Sequence, residues 1–209
     1  RRLKRVERIA IFMRREGMLL TVIAAGLVVF LVGLGSTPLF DYDEATYADV
    51  AVKLVNGVAP DALTFWRYDA SGTLVAWFEK PPLALWLQAG SMAIFGVNEF
   101  AVRLPSALFG VGCAIFVYLI GRRLSGEVAG TAAAFAFLTV PFFVRWAREG
   151  RLDSTVVFFM LLAFWWWLDW DRSRWRRYAL WAALGFGFLA KSAVVAFVPV
   201  TIAFALFIW

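Results

Sequence analysis

Several apolar runs approach or exceed the roughly 18 residues needed to cross a bilayer, and they constrain this chain more than any other feature. They cover residues 17–39, 101–120, 128–144, 154–168, 178–190 and 193–209, with short polar segments between them. In lipid, such runs satisfy their backbone groups by folding as helices. The expected fold is therefore all-α, a polytopic transmembrane helical bundle. Composition agrees. Of the 209 residues 62% are hydrophobic, against about half in a soluble domain, and there are 11 Trp and 21 Phe. Disorder, collagen and coiled coil are excluded on the same grounds.

Two scarcities narrow the chemistry. No His is present, so His bases, His triads and His metal sites are excluded. The single Cys, Cys113, allows no intrachain disulfide and no thiolate cage, and it reads as a small core residue. Acid–base work falls to Asp, Glu, Lys or Tyr, and any metal would be held mainly by carboxylate oxygens.

The net charge of +6 does not point to nucleic acid, because Arg1, Arg2, Lys4, Arg5, Arg8, Arg14 and Arg15 cluster before the first apolar run. Residues 1–16 read as a cytoplasmic basic segment and 17–39 as the first span. A cleaved leader is not expected, since the run is long and no small-residue site follows it. The chain is expected to be the N-terminal portion of a longer protein. The segment 82–95 is apolar but short, about 21 Å as a helix against a hydrocarbon core of about 30 Å. With Lys191 left aside, 13 basic residues fall inside and seven outside if it lies along the interface; if it crosses, 11 and nine. The positive-inside rule favours the first arrangement. Residues 40–100 then form a long outer loop of short juxtamembrane helices, and 101–209 supply further spans. Within the loop, Ala45, Ala48, Val52 and Val55 share a helical face, preceded by Asp43-Glu44 and closed by Gly57. Turn residues follow at Asn56-Gly57, Pro60-Asp61 and Ser71-Gly72, and Pro82 opens the next helix.

This topology brings Asp43, Glu44, Glu79, Lys80, Asp153 and Lys191 to one level, the outer interface. Each has an ordinary alternative: a solvated helix start for Asp43-Glu44, an ion pair for Glu79-Lys80, helix capping for Asp153 or Ser154, snorkelling for Lys191. Together, carboxylates and lysines at that level suit an enzyme acting on a lipid-linked phosphate, because ionisable groups in such positions are functional candidates.

A series of motifs carries a resemblance. Asp43-Glu44-Ala45-Thr46-Tyr47-Ala48 resembles the D-E-x-x-Y-A element after the first span of GT-C glycosyltransferases, in the branch of protein O-mannosyltransferases and lipid A aminoarabinose transferases. Phe78-Glu79-Lys80-Pro81-Pro82-Leu83 is similar to that branch's F-E-K-P-P-L. Residues 95–105 are similar to F-G-x-N-E-F-A-x-R-L-P. Leu152-Asp153 and Leu189-Ala190-Lys191-Ser192 resemble its later L-D and L-x-K-G elements, with Ser192 where the pattern has Gly. The resemblance implies a donor sugar on polyprenyl phosphate, a glycan, lipid or protein acceptor, and no nucleic acid. It implies Asp43 and Glu44 as the catalytic carboxylates, with Asp43 the general base for an inverting attack. Lys80, Lys191 and Tyr47 would bind the substrate phosphate, and Asp153 would complete an acidic wall. Glu79 would hold a divalent cation (Mg, Mn, Ca or Zn) or orient Lys80. The expected setting is a multi-pass protein of the cell's inner or plasma membrane, with a cytoplasmic N-terminus and an outer-face site. The alternatives are another polyprenyl-lipid-handling enzyme, such as a ligase relying on outer-face Arg and His, and a secondary transporter with charges near the midplane. Absent His counts against the first, and charges gathered at one interface count against the second.

Overall fold

The computed structural model describes residues 2–40, 42–58, 65–69, 71–196 and 201, with backbone alone at 2–15, 193 and 196. The Pro60-Asp61 turn and most of the apolar run 193–209 lie outside the described residues. Among the described residues, eight helices and one hairpin follow in order: α1 (Arg2–Leu31), α2 (Tyr42–Val55), β1 (Phe65–Tyr68), β2 (Leu74–Trp77), α3 (Leu83–Phe95), α4 (Glu99–Ser125), α5 (Glu127–Leu138), α6 (Pro141–Arg148), α7 (Asp153–Trp167) and α8 (Arg174–Lys191). Short 3-10 turns occupy Trp170–Arg172 and Ser192–Ala196.

Helix starts and stops follow local chemistry. Asn98 caps α4 by accepting the Ala101 N–H at 2.9 Å, with Glu99 in the first turn and Arg122 and Arg123 in the last. Pro141 sits in the first turn of α6, where its missing N–H costs nothing. Asp153 is not a cap: it is the first residue of α7, and no side chain caps that helix.

Three expectations need correction. The first apolar helix stops at Leu31 rather than Leu39, because the chain turns at Gly33 (φ 68) and then meets Pro38. The run 128–144 is not one straight span but α5 and α6, bent by 67° at the break before Pro141. The fold is not purely helical, since β1 and β2 form an antiparallel pair with Phe65 opposite Trp77 and Tyr68 opposite Leu74. Asp69 ties their turn: its Oδ1 accepts from Ser71 N (2.8 Å), Ser71 Oγ (2.6 Å) and Thr73 N (3.0 Å). Those bonds hold its carboxyl below the usual carboxylate range. Lys53 of α2 pairs with Asp49 and stands over the Tyr68 ring at 5.0 Å, which docks the hairpin on α2.

The main core joins Val22, Phe30 and Leu34 with Ala107, Val111, Ala114 and Tyr118 of α4, and Ala134 and Leu138 of α5. Gly130 lets α4 and α5 touch backbone to backbone, for a Cβ there would stand 2.6 Å from the Tyr118 carbonyl oxygen. A second core lies under the loop, where Tyr47, Val50, Phe65, Trp77, Ala84, Leu85 and Leu152 pack together.

Charged side chains sort to two ends of the bundle. Ser106 of α4 bonds Ser154 of α7 at one end, and Arg123 of α4 pairs with Asp169 just past α7 at the other, so the two helices run parallel. Lys191 at the close of α8 pairs with Asp153 and Arg176 near its start with Asp169, so α8 runs back. From Arg103 to Arg122 the chain carries no charge over 18 residues, about 29 Å of helix from one arginine to the other. Among the described residues α4 is the one helix that is by itself long and apolar enough to cross a membrane; α3, α7 and residues 16–31 of α1 are shorter apolar helices. α3 has 13 residues, about 20 Å, shorter than a hydrocarbon core.

Candidate active site

One end of the bundle holds most of the residues that carry chemistry. Asp43 and Glu44 are neighbours in α2, but successive helical residues point about 100° apart, and the two carboxylates have different fates. Glu44 is fully buried. Its Oε1 accepts from Arg103 Nε (2.6 Å) and Gly150 N (2.8 Å), and its Oε2 from Phe40 N (2.7 Å) and Arg103 Nη2 (2.9 Å). Four bonds fill the carboxylate's acceptor sites, leaving no face for a substrate. Arg103 in turn donates to the carbonyl oxygens of Leu34 (3.1 Å), Thr37 (2.9 Å) and Pro38 (2.9 Å). The pair ties the end of α1, α2, α4 and the link before α7. Glu44, expected among the catalytic carboxylates, therefore has its acceptor capacity spent on holding elements together.

Asp43 is open. Its side chain is 41% exposed, and its Oδ2 accepts from Arg151 Nη2 at 3.0 Å. Arg151 Nε also lies 3.6 Å from Asp153 Oδ2, and Asp153 Oδ1 accepts from Lys191 Nζ. Asp43, Arg151, Asp153 and Lys191 thus form one continuous chain of ion pairs.

Tyr47, one turn after Asp43, is 4% exposed and packs on Trp77 with ring centroids 6.1 Å apart. Burial pushes its hydroxyl well above the usual phenol range; the charges of Asp43, Asp153 and Glu79 push the same way and Arg151 opposes. Tyr47 therefore stays a neutral hydroxyl, and all three acidic residues act on it. Glu79 and Lys80 follow β2 after Phe78, with Glu79 exposed and Lys80 half-buried. Neither shows an ion pair or hydrogen bond among the described residues. The start of α3 is held on both sides: Ala84 and Leu85 pack with Tyr47 and Leu152, while Leu83 packs near Val156 and Ala190, next to Lys191.

Of the expected site residues, the structure gathers Asp43, Tyr47, Asp153 and Lys191 and brings Glu79 within electrostatic reach of Tyr47. Lys191 is already spent on Asp153, whereas Lys80 has no ion pair among the described residues. Arg103, Glu149 and Arg151 were not among them. The signal of Arg103 was visible: it lies inside an apolar run, where a charge needs a partner. Glu79, expected to hold a divalent cation or orient Lys80, stands exposed at the end of the hairpin. Among the described residues, no three acidic or cysteine side chains come together to hold a metal ion. Two of the nearby carboxylates, Asp43 and Asp153, already face Arg151 and Lys191.

The scaffold is that of the GT-C glycosyltransferases. The crystal structure of ArnT from Cupriavidus metallidurans in the apo state superposes with TM-score 0.76 at 29% identity, over 91% of this chain and 36% of that one. The structure of the same enzyme bound to undecaprenyl phosphate gives 0.73 at 30% identity with the same coverage. Undecaprenyl phosphate-alpha-4-amino-4-deoxy-L-arabinose arabinosyl transferase 2 of Pseudomonas fluorescens (strain Pf0-1) is 30% identical over 88% of this chain and 33% of its own length. Residues 79–209 match the model of the dolichyl-phosphate-mannose-protein mannosyltransferase family, and the chain belongs to that family. It spans about a third of the length of these relatives.

Proposed function

We propose that this chain is the part of a multi-pass membrane glycosyltransferase that carries the acid–base residues, and that it serves transfer of a sugar from a polyprenyl-phosphate donor to an acceptor at the outer face. The observation that carries this is the chain of ion pairs Asp43–Arg151–Asp153–Lys191 at one end of the bundle, with the buried Tyr47 hydroxyl under the charges of Asp43, Asp153 and Glu79. The two charged ends of the bundle, separated by uncharged helix, support a crossing orientation. Arg122, Arg123, Arg172 and Arg176 share the end opposite Asp43, as the positive-inside rule asks of a cytoplasmic face. α3 would then lie along the outer interface. The bound lipid of the Cupriavidus structure supports polyprenyl phosphate as the donor carrier.

In the mechanism, the acceptor hydroxyl oxygen attacks the anomeric carbon of the donor sugar from the face opposite the phosphate. Asp43 takes the hydroxyl proton as the new O–C bond forms. The C–O bond to phosphate breaks, and polyprenyl phosphate leaves with the electron pair. Configuration inverts because one displacement occurs. Lys80 meets the phosphate as a compact cation. Tyr47 offers a neutral O–H to the same region. Asp153 holds Lys191 in place.

The test compares two variants of the full-length protein. Asp43→Asn keeps size and hydrogen bonding but cannot take a proton. It should lower transfer by about 10²–10⁴-fold while donor-lipid affinity stays near wild type. Lys80→Ala should weaken donor affinity as well as rate, because its charge meets phosphate already present in the ground state. Transfer from a polyprenyl-phosphate sugar and binding of undecaprenyl phosphate are measured for both in detergent. Asp43→Asn retaining more than about a tenth of the activity would remove the base from the mechanism.

A further inference from the structure

Asp43 does not stand alone in the site; adjacent residues of α2 grip adjacent residues of the link between α6 and α7. Glu44 accepts from Gly150 N at 2.8 Å, and Asp43 accepts from Arg151 at 3.0 Å. The link is clamped from several sides. Gln88 of α3 donates to the Gly150 carbonyl at 2.7 Å, and Arg151 N donates to the Glu149 carbonyl at 2.7 Å. Leu152, 1% exposed, is sunk in the core with Tyr47. The Arg151 guanidinium lies over the Trp146 ring at 4.9 Å. Its side chain is only 14% exposed. Among the described residues, three carboxylates stand around it: Asp43, Asp153 (3.6 Å) and Glu149 (3.6 Å). Two further cations share them, Lys191 on Asp153 and Arg145 on Glu149 (2.7 Å). An arginine with carboxylates on three sides cannot swing away from any one of them freely.

We infer that Arg151 is a positioning residue for the transfer, holding Asp43 by Oδ2 so that Oδ1 is turned to the acceptor hydroxyl. Asp43 Oδ1 has no hydrogen bond among the described residues, while Oδ2 is occupied. A guanidinium is the right group for this work. It is planar, it spans two carboxylates at once, and it cannot take the proton itself. The proton lost by the acceptor therefore stops on Asp43 as the new O–C bond forms and the C–O bond to phosphate breaks. Arg151 touches neither sugar nor phosphate in this arrangement; it acts through Asp43.

The inference rests on Asp43 being the base, and the experiment separates the two. In the full-length protein, Arg151→Gln should lower kcat on the order of 10²-fold, the scale of a misplaced catalytic group. The donor KM and the affinity for undecaprenyl phosphate should stay within about twofold. Arg151→Lys keeps the charge and can reach one carboxylate, so it should recover part of kcat. On the Asp43→Asn background, Arg151→Gln should cost little more, because residues that act as a unit are not additive. Four results overturn the proposal: full kcat in Arg151→Gln, a loss carried by donor KM, no gain in Arg151→Lys over Arg151→Gln, or an undiminished loss on the Asp43→Asn background. If Asp43→Asn itself transfers at the wild-type rate, the base assignment falls and this falls with it. If Asp43→Asn is inactive while Arg151→Gln is fully active, the positioning role alone falls.

Discussion

At Ser192 the backbone takes φ 61 and ψ −143, a conformation that costs a side chain on the order of 1–3 kcal/mol and that glycine adopts freely. The L-x-K-G element has Gly there. The departure at Ser192 is thus strain carried at the residue that follows Lys191, whose ammonium holds Asp153. Ser192→Gly should stabilise the protein by about 1 kcal/mol, the relieved strain exceeding glycine's extra entropy in the unfolded chain. A higher Tm in detergent is the expected result, and an unchanged or lower Tm would show that Ser192 makes contacts worth the strain. At this scale the site was half legible. Asp43, Tyr47, Asp153 and Lys191 were visible because acidic, phenolic and basic groups stand out in an apolar chain. The division of labour between Asp43 and Glu44 was not, because a motif gives order along the chain and not the 100° turn between neighbours on a helix. Arg151 was hidden for another reason. In a chain with net charge +6, a loop arginine looks like a marker of topology rather than the partner of Asp43.

Among elements, the helices were legible in their apolar runs and their ends were less so. Gly33 and Pro38 end α1 early, and Pro141 splits α5 from α6, although apolar residues continue through both breaks. Hydropathy sees the side chains; the turn is a backbone event. The hairpin escaped because its strands are four residues each, too short for alternation to show beside long apolar helices. What fastens these elements is the Glu44–Arg103 pair, which reaches four of them. Removing one partner of such a pair leaves a buried, uncompensated charge, at a cost of about 3–5 kcal/mol. Arg103→Leu should therefore lower Tm sharply and loosen the turn after α1, whose Leu34, Thr37 and Pro38 carbonyls lose their donor. Adding Glu44→Gln should recover part of the loss, since the amide oxygen can still accept the Gly150 or Phe40 N–H without carrying a charge. Thermal unfolding of the two variants in detergent checks this; a double variant less stable than Arg103→Leu would show that the buried charge is not the main cost.

For the whole molecule, the question is which end of the bundle faces which side of the membrane, because the proposed site depends on it. The helices supply a frame: α4 and α7 run parallel and α8 returns, so the hairpin and Lys191 share one end while the α7–α8 connection lies at the other. The uncharged length of α4, about 29 Å between Arg103 and Arg122, matches a hydrocarbon core. Cys113, the single cysteine, is fully buried in α4 and should be silent to thiol reagents, so introduced cysteines report on a clean background. Ser71 and Ser173 suit the purpose, both exposed, one in the hairpin turn and one before α8. In intact cells a membrane-impermeant maleimide should label Ser71→Cys and spare Ser173→Cys, which should react once the membrane is opened. Wild-type protein should stay unlabelled in both conditions. Ser71 carries part of the Asp69 turn, so Ser71→Cys also needs a melting curve close to wild type to show that the hairpin is intact. Labelling of Ser173→Cys from outside, with Ser71→Cys protected, would invert the bundle and put Asp43 on the cytoplasmic face. Labelling of both from one side would mean that the helices between them do not cross, and a donor site at an outer interface would then have no membrane to sit in.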